Sequence, residues 1–194
     1  MNNETSARRS FDSVAIVIID MLNEYLDPHG KVYCDKCGSI VAPINHVITF
    51  ADKHDILVIF NNTELTSKDD PMVKKWGLHA ERGKWGSQLF GELKEPKRSI
   101  TVPKKAYNGF FQTDLDHTLK SNQISSVVIC GIHTHVCVLI TATAAFEYGY
   151  DVDVLGDCIT TGYQPNHDTR IRYFGTHVGR VISSEEWMRG FPSG

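Results

Sequence analysis

The sequence predicts a three-layer α/β/α domain built on a mostly parallel, doubly wound sheet of about six strands. One observation is that the apolar runs are short, β-branched and uninterrupted, as in Ser13 to Ile19 (SVAIVII) and Ile56 to Phe60 (ILVIF), the pattern of strands buried on both faces. Helical periods also separate those runs, which makes the repeating unit strand, helix, strand and implies parallel pairing with right-handed crossovers. Finally, reactive side chains follow directly after strands, where open parallel sheets place their ligand crevice.

The elements follow in order. Met1 to Phe11 is polar and aperiodic apart from its last residue, and is expected as a loose tail to a single domain spanning the 194 residues. After Ser13 to Ile19 comes Asp20, and then a long loop to Gly38 with the turn signal Asp27-Pro28-His29-Gly30. Apolar residues at Ile40, Val41, Ile44, Val47, Ile48 and Ala51 predict a helix over 39–53, with Ser39 as its N-cap. Residues 61–96 are long, polar and irregular, the character of a functional loop or lid. Trp76 and Trp85 within this stretch are candidate pocket walls. A strand at 99–102, a helix at 113–121, a strand at 126–130 and a helix at 136–148 come next. A strand at 151–155, a helix at 165–178 and a last strand at 180–182 complete the pattern.

Composition narrows the function. With 20 basic and 23 acidic side chains and a net charge of −3, the chain offers no electrostatic footprint for nucleic acid or an anionic membrane. No apolar run approaches membrane-spanning length. Five cysteines and an N-terminus without an apolar core predict a reducing, cytoplasmic setting. The expected partner is a small molecule.

Three side chains converge at one sheet edge. Asp20, a lysine at 104 or 105, and Cys137 each lie just beyond a different strand. A thiol must lose its proton to attack a carbonyl; a carboxylate can take it, and an ammonium can hold both partners ionised. Backbone N–H groups of the Gly131 to Cys137 turn are candidate oxyanion donors. Cys137, entering the first turn of a helix, is also placed where orphan N–H groups favour thiolate. His133 and His135 offer a rival Cys–His dyad or, with Cys137, a metal site, but so close along a tight turn they are poorly placed for either. Cys34 and Cys37 form a single CxxC without a second pair, so disulfide formation and metal binding both remain open.

Three motifs in this order resemble the isochorismatase-like cysteine hydrolases, a superfamily that includes nicotinamidases and N-carbamoylsarcosine amidase. They are IIDMLNEYLDPHG, VPKKAYNGFFQTDLD and CGIHTHVCVLITATAAFEYGYDV. The pattern is closest to the N-carbamoylsarcosine amidase-related hydrolases. The resemblance implies Asp20 as base and then acid, Lys104 as charge partner because it stands three positions before Tyr107, and Cys137 as nucleophile. It implies a cis peptide at Ile132-His133, which turns the His133 N–H toward the oxyanion beside that of Cys137. It also implies a homo-oligomer, dimer or tetramer.

The nicotinamidases' metal-binding Asp-x-His is replaced here by Asn61-Asn62-Thr63-Glu64, so no metal and no cofactor is expected. Leu22 stands where the family has Gln. Leu22, Arg82, Trp85, Asn108 and Thr134 are the candidate substrate contacts, with Arg170 a further candidate for orienting a polar group. The expected activity is hydrolysis of a linear C–N bond in a small carboxamide or ureido (N-carbamoyl) compound. The alternatives are a non-catalytic protein on the same fold, a redox protein pairing Cys137 with Cys130, Cys158 or the CxxC, and a nicotinamidase-type enzyme.

Overall fold

The computed structural model describes residues 11–191. Six strands form one sheet in the order β3-β2-β1-β4-β5-β6, with every pairing between them parallel. The strands are β1 (Val14–Ile19), β2 (Leu57–Asn61), β3 (Ser99–Thr101), β4 (Ser126–Ile132), β5 (Asp151–Thr160) and β6 (Arg180–Ile182). The helices are α1 (Asn23–Leu26), α2 (Val41–Lys53), α3 (Pro71–Trp76), α4 (Leu115–Ser121), α5 (Leu139–Glu147), α6 (Gln164–His177) and α7 (Ser184–Arg189). None of these helices is long and apolar enough to cross a membrane.

Alternation along the central strand assigns the two cores. Val14, Ile16 and Ile18 face α2 and α7, packing with Ile44, Val47, Ile48 and Trp187. Ala15, Val17 and Ile19 face the opposite layer, with Leu115, Leu119, Ala142, Ala145 and Phe174. Both faces of β1 are therefore dry, which is why its sequence is apolar throughout rather than alternating.

Strand order reverses at β1, since chain order runs outward to β2 and β3 on one side and to β4, β5 and β6 on the other. Such a switch point opens a crevice beyond the carboxyl ends of the two central strands. Register fixes what lines it: Ile19 pairs with Asn61 on β2 and with Gly131 on β4, so the residues after Ile19, Asn61 and Gly131 emerge side by side. Gly131 has φ +111°, and a Cβ there would lie 2.1 Å from the Ile19 carbonyl oxygen. Only glycine lets the two central strands approach at this point.

Several boundaries differ from the sequence reading. Ser39 is no N-cap; its hydroxyl donates to the Lys36 carbonyl, and a 3₁₀ turn at Cys37–Ile40 leads into α2. The fifth strand continues past Gly156-Asp157, which read as its end. Between the pairs Ile129↔Val154 and Gly131↔Ile159, β4 advances two residues while β5 advances five, so the glycine and aspartate sit in a bulge rather than a turn. Asp157 then accepts from the backbone N–H and hydroxyl of Ser184 and anchors α7. The expected tail falls on 1–10, outside the described residues, and on Phe11, which stacks on His54 and Phe191 at 4.5 Å.

Gly131→Ala is expected to lower unfolding free energy by at least about 3 kcal/mol or to prevent soluble accumulation. Gly149→Ala makes the comparison: its φ of +88° is strained for alanine but a Cβ there meets nothing within 4 Å, so about 1 kcal/mol is expected. Urea unfolding of both proteins reads the difference.

Candidate active site

Lys104 reaches the switch point through an extension of the β2–β3 pairing. Its N–H donates to the Asn62 carbonyl at 2.9 Å, and its carbonyl accepts from Glu64 N at 3.0 Å. Its side chain, one of the largest fully buried ones, is 1% exposed. A buried ammonium must be paired, and three groups surround this one: Asp20 Oδ2 at 2.7 Å, Thr63 Oγ1 at 2.8 Å and Cys137 Sγ at 3.6 Å. Asp20 is 2% exposed, and its other oxygen accepts from Thr63 N at 2.7 Å. Carboxylate, ammonium and thiol thus meet at one point, supplied by segments after β1, β3 and β4.

The thiol arrives by a route the periodicity did not reveal. The Ile132-His133 peptide is cis, and Thr134–Val138 forms a π-helical turn, with Val138 N donating to the His133 carbonyl at 3.3 Å, before α5 begins at Leu139. Single π turns of this kind often re-aim a functional side chain.

Electrostatics give the thiol its proton. Burial pushes Cys137 up to about 12; Lys104 pulls it down, and the Asp20 carboxylate adds to the rise. Burial thus outweighs the favourable position at a helix start, which by itself does not leave the sulfur ionised. Burial by itself lowers the Lys104 pKa, but Asp20 and Cys137 outweigh it and the net direction is upward. Burial is also what depresses His133, to about 4.

A cavity of about 400 Å³ opens on Asp20 and Cys137, within the size range of small-molecule sites. Tyr25, Tyr33, Trp76, Tyr107 and Tyr163 supply an aromatic wall, and Val32, Asp35, His133, His135 and Thr161 also line it. The Trp76 indole N–H donates to the Tyr107 hydroxyl at 2.6 Å, tying the two together.

Most of the sequence's candidate substrate contacts lie elsewhere. Leu22 is fully buried in the core and bridges Leu89. Arg82 pairs with Glu64 at 2.7 Å and faces a separate depression. Trp85 is 46% exposed, away from the cavity, and contributes a carbonyl to Asn23 Nδ2. Asn108 caps its own loop through Phe110 N. Thr134 is buried, with its hydroxyl against His167 Nδ1 at 2.9 Å, and Arg170 touches the site only through its charge near His135.

Neither neighbouring histidine presents its Nδ1 to the sulfur. The His133 Nδ1 faces Cys37 and the His135 Nδ1 faces the Thr161 hydroxyl. Two participants were missed. Thr63 stands two residues beyond β2 at the same edge and holds both Asp20 and Lys104. Tyr25 lies in α1, a single turn too short for periodicity to reveal. A metal at the position of the nicotinamidases' Asp-x-His does not fit: Asn61 Nδ2 donates to the Val102 carbonyl, Thr63 accepts from Lys104, and Glu64 is engaged by Arg82.

A thiol, a carboxylate and an ammonium thus meet at the switch point of a doubly wound parallel sheet. The isochorismatase domain model matches residues 14–186, and the chain belongs to that family of hydrolases. It is similar to the ureidoacrylate amidohydrolase RutB of Variovorax paradoxus, 28% identical over 218 residues covering 97% of this chain and 84% of that one. Among solved structures, N-carbamoylsarcosine amidase from Thermoplasma acidophilum superposes with a TM-score of 0.79 at 29% identity, covering 89% and 97% of the two chains. The pyrazinamidase/nicotinamidase of Streptococcus mutans gives 0.82 at 26% identity, covering 88% and 100%.

The raised thiol pKa links stability to alkaline pH. Unfolded Cys137 ionises near 8.5 while the folded thiol stays protonated toward 12, so stability is full below about pH 8.5 and falls as pH rises. Between pH 8.5 and 10.5 the parent is expected to lose on the order of 2 kcal/mol more than Cys137→Ala. Urea midpoints measured across that range check the slope.

Proposed function

We propose that the protein is an amidohydrolase that cleaves a linear C–N bond in a small, uncharged carboxamide or ureido compound through Cys137. The observation that carries the reading is the contact of Cys137 Sγ with Lys104 Nζ, itself paired to Asp20, at the floor of the cavity. Asp20 takes the thiol proton as sulfur adds to the carbonyl carbon, and Lys104 keeps the carboxylate and the forming thiolate charge-compensated. The N–H groups of His133 and Cys137 receive the oxyanion. Asp20 passes the proton to the departing nitrogen, the C–N bond breaks, and ammonia or an amine leaves a thioester on Cys137. Water, deprotonated by the same carboxylate, then cleaves the C–S bond and restores the thiol.

The preference for an uncharged substrate comes from the lining. Aromatic faces suit a flat or apolar group, whereas an N-carbamoyl amino acid would bring its carboxylate toward Asp20 and Asp35. The relatives above are named for ureido acids and for aromatic carboxamides, which agrees with amide chemistry and leaves the side group to be set by these walls. The redox alternative has less support. Cys137 packs in the α4–α6 layer while Cys130 and Cys158 pack in the α2–α7 layer, so the sheet lies between them, and Cys34 and Cys37 are bonded to each other.

Ammonia release from a panel of amides tests the mechanism. Cys137→Ala is expected to abolish it, and Asp20→Asn and Lys104→Met to reduce kcat/KM by at least about 100-fold; turnover retained by Cys137→Ala would remove the nucleophile. Within the panel, an uncharged aromatic carboxamide is expected to exceed an N-carbamoyl amino acid in kcat/KM by at least about tenfold. The reverse order would remove the substrate assignment and leave the mechanism standing.

A further inference from the structure

Amide hydrolysis leaves a second cluster unused. Cys34 and Cys37, in the segment between α1 and α2, meet His133 across the cavity wall, and the ligand atoms of the three residues all lie within 4.8 Å of one another. Cys37 Sγ is 3.7 Å from His133 Nδ1. Cys34 and His133 line the catalytic cavity, and both cysteines are buried. In this structure the two sulfurs are joined as a disulfide.

We propose that in its dithiol form the Cys34/Cys37 pair, together with His133, binds one zinc-type divalent cation in the wall of the catalytic cavity. Zinc holds thiolate sulfur at about 2.3 Å and imidazole nitrogen at about 2.0 to 2.1 Å, and tetrahedral angles then separate sulfur from nitrogen by about 3.6 Å. Cys37 and His133 already stand at nearly that spacing. The two-residue gap between the cysteines is the gap by which zinc sites take two thiolates from one short loop. His133 arrives from a different segment, fixed by β4 and the π turn, so the sequence pattern by itself could not join it to the pair. Borderline-soft cations are favoured because two of the three donors are thiolates. Three protein ligands leave a fourth position for water, the arrangement of an open zinc site.

Disulfide and cation site are alternative states of the same two sulfurs. A dithiol reductant delivers two electrons and two protons to the Cys34–Cys37 bond and is itself oxidised to a disulfide. Cation binding then releases the two thiol protons to solvent. The site stands independently of the amide chemistry, because its readout is the metal itself.

The test uses the untagged protein, reduced with dithiothreitol, exchanged anaerobically into metal-free buffer and titrated with Co²⁺. One cobalt per chain is expected, with the intense visible bands of a tetrahedral site and a near-ultraviolet sulfur-to-cobalt charge-transfer band, displaced by Zn²⁺. The disulfide form is expected to show neither band. Cys34→Ser and Cys37→Ser should each bind at least about tenfold more weakly, whereas Cys130→Ser, altered within β4, should match the parent. Reduced parent protein that takes up no cation, or serine variants that bind as tightly as the parent, would overturn the site. Should the serine variants fail to fold, the reduced and disulfide forms of the parent decide the matter between them.

Discussion

The site depends on one buried ion pair, Lys104 with Asp20. Their side chains are 0% and 3% exposed and 2.7 Å apart, so neither charge can turn to water. Removing either partner strands the other, at a cost of about 3 to 5 kcal/mol. The pair is no argument for stability, since a well-packed apolar replacement could serve the fold as well. What it does is force the ends of β1 and β3 toward a common point across β2. Thr63, which follows β2, fills the remaining valences through its N–H and its hydroxyl. The thiol then completes the set from β4, on the far side of β1, and the crevice of the switch point becomes a place where a proton can move between three groups without solvent.

That arrangement also bears on how the thiol would be activated in the proposed reaction. Two histidines lie within four residues of Cys137, and a Cys–His dyad is the usual expectation. Here the cis peptide and the π turn aim the sulfur back toward the sheet edge, while the Nδ1 atoms of His133 and His135 face Cys37 and Thr161. The sulfur instead meets an ammonium already paired with a carboxylate, and in the proposed reaction that carboxylate receives its proton. Burial raises the thiol pKa, so in the proposed reaction the carboxylate must take the thiol proton as the sulfur adds to the carbonyl.

How far the sequence could be read follows from the range of the forces involved. The six strands and four principal helices were legible because burial on one or two faces writes a period into consecutive residues. Asp20 and Cys137 were legible because a parallel sheet delivers strand ends to one edge whatever the loops do; the same reasoning left the lysine at 104 or 105, and only the motif resemblance chose Lys104. Of the five aromatic walls, Trp76 was named from the sequence and the other four were not: Tyr25 lies in α1, a helix with too few turns to show a period, and Tyr33, Tyr107 and Tyr163 come from separate loops. Leu22, Arg82 and Asn108 were plausible contacts by position, yet each is spent locally: one in the core, one on Glu64, one on its own turn. Whether a polar residue faces a ligand or a neighbour is settled by long-range packing, which no local pattern records.

Those loops are not free of the fold, and the reason is again a buried carboxylate. Glu24, four residues beyond Asp20, accepts from Lys31 N at 2.7 Å through one oxygen and from Ala80 N at 2.8 Å through the other. Gly86 lies so close that a Cβ there would meet the same carboxylate at 2.1 Å. One side chain on α1 therefore gathers the loop that carries Tyr33 and Cys34, the loop after α3, and the turn around Trp85. The helix that follows Asp20 thus joins the ion pair to the cavity wall. Asp20 anchors its beginning to Lys104, and Glu24, one turn later, clamps loops that carry wall residues. Loop composition can therefore change the cavity while the proton machinery beneath it stays in place.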